Sequence, residues 1–210
     1  MMFRKFLPVI LLILVACEVN KQPTIATVPV VVGHGPGGPA TLTGRVPGGI
    51  TLLVYKSSDY TKELANLTVT SRNDSFKITD LPIDTVDIIT RGSHYFAQKK
   101  SDVLLGKGQN LFSVILDDTS HFDSGGRQNY NQMEVLVTFK DQGIDSLTAS
   151  SILVPYGCSV RNVSSALYFG RHLFVVTIPY EKTVAKMIEI LVMDERIYLT
   201  TPNFLAYLHP

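Results

Sequence analysis

The sequence predicts an all-β protein of two β-sandwich domains in tandem, carried behind an N-terminal export segment and a flexible tether. Three observations lead there. Between Ala40 and Asp117 short apolar runs recur, with turn residues about every ten positions, as in short antiparallel strands. The polar stretch DDTSHFDSGGRQNYNQ, residues 117–132, interrupts that pattern, and a second series of strand-like runs follows it. Ahead of both stands a short greasy segment that begins just after Arg4 and Lys5.

The first sixteen residues have the layout of a secretory signal. Arg4 and Lys5 form a basic start, Phe6–Val15 is the apolar run, and Ala16 is a small residue before Cys17. As a helix, Phe6–Val15 rises about 15 Å, half of a bilayer's hydrocarbon core of about 30 Å. The run is therefore too short for a permanent span. The segment Leu14-Val15-Ala16-Cys17 resembles the lipobox of bacterial lipoproteins. That resemblance implies cleavage before Cys17, acylation of Cys17 by palmitate-like chains, and a lipid anchor in the cell envelope. Stable anchoring takes more than one chain, because each buried CH₂ contributes only about 0.8 kcal/mol. Glu18 follows the cysteine where an Asp would resemble an inner-membrane retention signal, so the expected address is the outer membrane.

Loss of residues 1–16 leaves 17 basic and 18 acidic residues, and no Lys/Arg run stands out. An electrostatic nucleic-acid footprint is absent, and no nucleic-acid partner is expected. With Cys17 acylated, Cys158 has no partner in the chain; its apolar setting, ILVPYGCSV, predicts a buried small hydrophobe rather than a reactive thiol.

Residues 17–39 read as the lipidated N-terminus and tether, with four prolines and a Gly/Pro cluster at Gly33–Pro39; ahead of that cluster, Val28–Val32 fits a strand that Pro29 restricts to an edge or a strand start. The first sandwich is expected over 40–118. ATLTGRV, LTVTS and SFKIT alternate, ITLLVYK is mostly β-branched and aromatic, and TVDIIT and LFSVIL complete the series. YTKELANL fits a short helix or a loop turn. Asn73-Asp74 supplies a turn, Phe76 and Ile78 share one strand face, and Pro82 stops that strand.

TLTGRV, ITLLVYK, NDSFKITDLP and DVLLGKGQNLFSVIL together resemble the carboxypeptidase regulatory-like domain, a transthyretin-type β-sandwich. Ser75 departs from that family's usual Gly, and Asp84-Thr85-Val86 stands where Gly-x-Tyr usually follows Leu-Pro. Residues 119–130 read as a linker, and 131–210 as a second, immunoglobulin-like sandwich. Its strand candidates are MEVLVTFK, SLTASSILVP, ALYFG, HLFVVTIPY, KMIEILVM and IYLTT. Glu181–Met193 carries both periods: Val184, Met187, Ile188 and Leu191 share a helical face, while Ile188, Ile190 and Val192 alternate. The β neighbours and the missing capping box favour a strand there.

No residue set points to catalysis, so no catalytic residue is expected. Asp123-Ser124-Gly125-Gly126 resembles the nucleophile segment of chymotrypsin-like serine proteases, but Phe122 and Arg127 replace that family's flanking Gly and Pro. Neither His34 nor His94 has the setting of its general base. The histidines form no His-x-x-x-His pair and no Cys-x-x-Cys exists, so no metal site or cofactor is expected. Asp117, Asp118, His121 and Asp123 cluster without the glycine of an EF-hand loop and read as a solvated acidic linker.

The expected function is a non-catalytic binding or scaffold module, held at the membrane by acyl chains and docking another envelope protein. The alternative is a glycan- or surface-polymer-binding lipoprotein. Trp is absent, so Tyr55, Tyr60, Tyr95 and Tyr130, at strand ends or loops, are the candidate ligand-binding residues.

Overall fold

A computed structural model describes residues 30–32, 38–70, 75–120, 122 and 126–205. The signal segment, Cys17, the Asn73-Asp74 turn, His34, His121, Asp123, Ser124 and Gly125 lie outside the described residues. Strand dominates: β1 (Val30–Val32), β2 (Ala40–Arg45), β3 (Thr51–Lys56), β4 (Asp59–Thr68), β5 (Ser75–Leu81), β6 (Thr85–Gly92), β7 (Tyr95–Leu104), β8 (Gly108–Phe112), β9 (Tyr130–Phe139), β10 (Ser159–Tyr168), β11 (Arg171–Thr177) and β12 (Ile197–Phe204). Two short helices, α1 (Ser146–Leu153) and α2 (Val184–Leu191), complete the described elements. Neither is long and apolar enough to cross a membrane.

The strands form three four-stranded sheets, ordered β1-β5-β2-β8, β4-β3-β6-β7 and β10-β11-β9-β12. The first two face each other as a β-sandwich around Leu42, Leu52, Val54, Phe76, Ile78, Ile88 and Phe112. Phe76 and Ile78 enter that core together, as their spacing requires. YTKELANL lies within β4, antiparallel to β3, instead of forming a helix or turn. Leu64, Ala65 and Leu67 give it its buried side.

The sheet β4-β3-β6-β7 is covered on both faces. Leu52 and Val54 of β3 enter the sandwich core, whereas Leu53 and Tyr55, with Ile89 of β6, enter a second core shared with residues 130–197. Burial on both faces explains why ITLLVYK reads as a largely continuous apolar run instead of an alternating one.

Residues 130–205 form one four-stranded antiparallel sheet with two helices, in place of the second pair of sheets expected there. Two segments expected as strands are helices. In α2, Val184, Met187, Ile188 and Leu191 all fall on one buried face, and the Thr183 side chain accepts from the Lys186 N–H. A threonine cap suffices without the reciprocal acid of a capping box. In α1, Asp145 caps by accepting from the Thr148 N–H at 2.7 Å, and Ala149, Ile152 and Leu153 are buried. The helix runs into a 3₁₀ turn, Val154–Tyr156, closed by Gly157 at φ 73°.

The expected linker is pinned at both described ends. Phe96 N–H donates to Asp117 C=O at 2.9 Å and Thr119 N–H to His94 C=O at 3.1 Å. Tyr130 is 1% exposed and packs edge-on against Phe96, with ring centroids 5.3 Å apart.

Candidate functional site

The largest concentration of buried charge among the described residues lies where the middle sheet meets the C-terminal region. Asp87 sits on the same face of β6 as Ile89, inside an otherwise apolar run. Its side chain and that of Lys99 on β7 have no solvent exposure. A buried carboxylate persists only where donors replace its water. Asp87 accepts from Tyr60 Oη at 2.5 Å, Ser57 Oγ at 2.7 Å, the Asp102 N–H at 2.9 Å and Lys140 Nζ at 2.7 Å.

Each donor is placed by a local feature. Ile88 pairs with Lys100 and Val86 with Val103, so Ser101 and Asp102 stand opposite Asp87 alone. That β-bulge, with Asp102 at φ 57°, turns its N–H onto the carboxylate. Ser57 follows β3, Tyr60 starts β4, and Lys140 follows β9. Tyr60 stacks on Tyr55, with centroids 4.8 Å apart. Burial, reinforced by Asp87, raises the Tyr60 hydroxyl well above the ordinary tyrosine range. Burial also pushes Asp87 upward, but the hydrogen bonds outweigh it and leave the carboxyl below its usual range.

Lys99 has a different role. Its Nζ donates to the Asp194 and Ile197 carbonyls, both at 2.7 Å, and lies 3.8 Å from Asp87 and 4.7 Å from the Tyr60 ring centre. Burial lowers its pKa to about 7, against the pull of Asp87. A neutral amine keeps two N–H donors, enough for those two carbonyls. Ser101 adds another crossing bond, Oγ to Tyr198 C=O at 2.9 Å. Asp194 accepts from Arg196 and from Tyr156 Oη.

The accessible side of this cluster is a cleft of about 410 Å³ lined by Ser57, Lys140, Glu195 and Arg196 over apolar Phe139 and Ile144. Ser57 Oγ lies 2.9 Å from Lys140 Nζ, a spacing found in nucleophile–base pairs. The proton runs the other way here. Lys140 Nζ donates to Ser57 Oγ and faces the carboxylates of Asp87 and Asp102, whereas a general base must accept from the hydroxyl. Ser57 Oγ in turn lies 2.7 Å from both carboxylates and has one proton to offer. The arrangement fixes two units against each other.

The expected ligand tyrosines scatter. Tyr55 is 8% exposed and Tyr130 is in the core, while Tyr60 belongs to the Asp87 cluster. Tyr95 lines a cleft of about 530 Å³ with Thr51, Arg91, Ser93, Lys186 and Glu189. Cys158 is buried in the second core, and burial pushes its thiol up to about 11. The Asp87 cluster was missed from sequence. Its one linear signal is an aspartate inside a run buried on both faces.

Fold and site together define an all-β protein whose sandwich is clamped to a helix-backed sheet by the Lys140–Asp87 ion pair and by hydrogen bonds from Lys99 and Ser101 to backbone carbonyls. The chain matches no family model, no curated protein and no solved structure.

Proposed function

We propose that this chain is a membrane-anchored envelope lipoprotein of the outer membrane, acting without catalysis as a docking module for another envelope protein. The observation that carries the non-catalytic reading is the Asp87–Lys99–Lys140 cluster. Its polar groups are spent on one another and on backbone carbonyls, which is the use of charge that holds a scaffold rigid. The anchor rests on Leu14-Val15-Ala16-Cys17, with Cys17 as the acylated residue. The two facing sheets, seven of whose eight strands lie within 40–118 and whose edge strand β1 is Val30–Val32, support the reading of 40–118 as a carboxypeptidase regulatory-like, transthyretin-type module.

Docking falls to the open edge of the first sheet. The outermost strand β8 presents Leu111 at 82% exposure beside a groove lined by Gly44, Phe76 and Phe112. An edge strand with an apolar side chain is suited to strand addition by a partner. Cys17→Ser should abolish labelling by a palmitate analogue and release the protein from membranes. Crosslinking in intact cells should capture one envelope protein, and Leu111→Lys should lose it. Unchanged labelling refutes the anchor, and repeated capture of no envelope protein refutes the docking role.

The polar cleft at Tyr95 favours a second reading, a glycan or surface polymer as ligand, since an aromatic ring beside Arg, Ser and Thr side chains suits sugar faces and hydroxyls. Tyr95→Ala should then abolish retention on a polysaccharide column, and a wild type retained by no glycan ends that reading.

A further inference from the structure

Asp87 and Lys99 stand on neighbouring strands of the middle sheet and share a face. Lys99 of β7 pairs with Ile89 of β6, and Ile89 lies on the same side as Asp87, so the two side chains are diagonal neighbours across the ladder. Neither side chain has any solvent exposure, and Lys99 Nζ lies 3.8 Å from Asp87 Oδ2. An amine and a carboxyl held together without water are the two halves of an amide.

In water such a pair stays apart, because hydration favours the separate ammonium and carboxylate. Burial takes that preference away, since each charge is costly without its water. The surroundings also divide between them the roles that amide formation needs. Lys99, lowered to about 7 by burial, supplies an unprotonated amine near neutral pH. Its two N–H bonds go to the Asp194 and Ile197 carbonyls, which leaves the nitrogen lone pair unshared. Asp87 Oδ1 faces Ser57 Oγ at 2.7 Å and the Asp102 N–H at 2.9 Å, a pair of donors suited to a tetrahedral oxyanion. Oδ2 accepts from Lys140 Nζ at 2.7 Å and from Tyr60 Oη at 2.5 Å. A cationic proton donor therefore sits on the oxygen that has to leave.

We propose that Lys99 and Asp87 condense into an intramolecular amide, Nζ to Cγ, that welds β7 to β6. Lys99 Nζ attacks Cγ and forms the C–N bond, and the bond from Cγ to Oδ2 breaks. The departing oxygen takes one proton from the attacking nitrogen and one from Lys140, and leaves as water. Amine, carboxylate and Lys140 ammonium become amide, water and Lys140 amine, with charge conserved and nothing oxidised or reduced. Lys140 and Ser57 line the cleft of about 410 Å³, so the water has an exit and Lys140 regains its proton from solvent. Reaction needs the joining atoms about 3–3.5 Å apart, an approach that the flexible stem of a lysine provides. The amide N–H keeps one of the two carbonyl bonds. The titration of Lys99 belongs to chain in which the pair is still free.

The test is a mass. The full-length chain is purified, held folded at neutral pH, and its intact mass is read after denaturation. The wild type is expected to fall below the mass that its sequence and acyl groups require by one water, and Lys99→Met to keep its full mass. Trypsin cannot cut after a joined Lys99, so digestion should give Ile78–Arg91 attached to Gly92–Lys100. Fragmentation should then read Ile78 and Gly92 both as free N-termini, which a linear uncut peptide of the same mass cannot give. This readout uses the wild type alone, so a variant that fails to fold does not weaken it.

A folded wild type that stays at its full mass overturns the proposal and leaves Asp87 and Lys99 as non-covalent neighbours. A loss of water that persists in Lys99→Met, or that maps to a cyclised aspartate with no branched peptide, overturns it too.

Discussion

Asp87 and Lys99 show how two fully buried ionisable groups take different charge states at 3.8 Å. Asp87 has four donors around it and stays ionised; Lys99 has two carbonyls and gives up its proton near neutrality. Asp87→Ala leaves Lys99 and Lys140 without their carboxylate, and urea unfolding should show a loss of about 3–5 kcal/mol. Lys99 adds a pH signature. It titrates near 7 when folded and near 10.5 when unfolded, so between those values the unfolded chain binds more protons. Stability from this group therefore rises with pH across that window, and below about 7 its burial is a full cost. Lys99→Met should be compared with the wild type by unfolding at pH about 7 and about 10. The wild type gains over the variant at the higher pH; parallel behaviour would show that Lys99 stays charged. The sequence carries one trace of the cluster, an aspartate inside an apolar run, which by itself names no site. The partners leave none, because Ser57, Tyr60, Asp102 and Lys140 are brought to Asp87 from distant positions by a bulge and two sheets.

At the scale of elements, strands were easier to read than helices. Alternation in SFKIT and the continuous run ITLLVYK each report the faces they bury, and the structure keeps both. The segments of α1 and α2 have β neighbours and β-branched residues, so periodicity alone could not separate them from strands. What decides is at the ends: Asp145 and Thr183 each satisfy an N–H that a strand would not have left free. Thr183→Ala should cost about 1 kcal/mol, and chemical denaturation would register it; no change would mean that the buried face alone fixes α2. Gly157→Ala should cost about 1–2 kcal/mol. Its φ is 73°, and a new Cβ would meet Pro179 Cγ at 3.0 Å. A loss within error would show that the turn relaxes.

For the whole molecule the decisive feature is the middle sheet. Expecting two separate sandwiches was natural, because a polar break at 117–132 resembles a linker and nothing linear says that β3 and β6 are covered on their second face by residues from beyond Tyr130. With Leu53, Tyr55 and Ile89 in that second core, the halves should open together. Hydrogen exchange is expected to give one common opening free energy for β3, β6, β9 and β11. Distinct values for the two halves would mean independent domains. The order β1-β5-β2-β8 has a mechanical consequence for a chain held at its N-terminus. A pull along the chain first peels the three-residue β1 from β5, then meets β2 as an inner strand, laddered to β5 on one side and β8 on the other. Those two ladders must slide in shear together, so the body yields to tension at a higher force than one whose first strand lay at an edge and could be unzipped bond by bond.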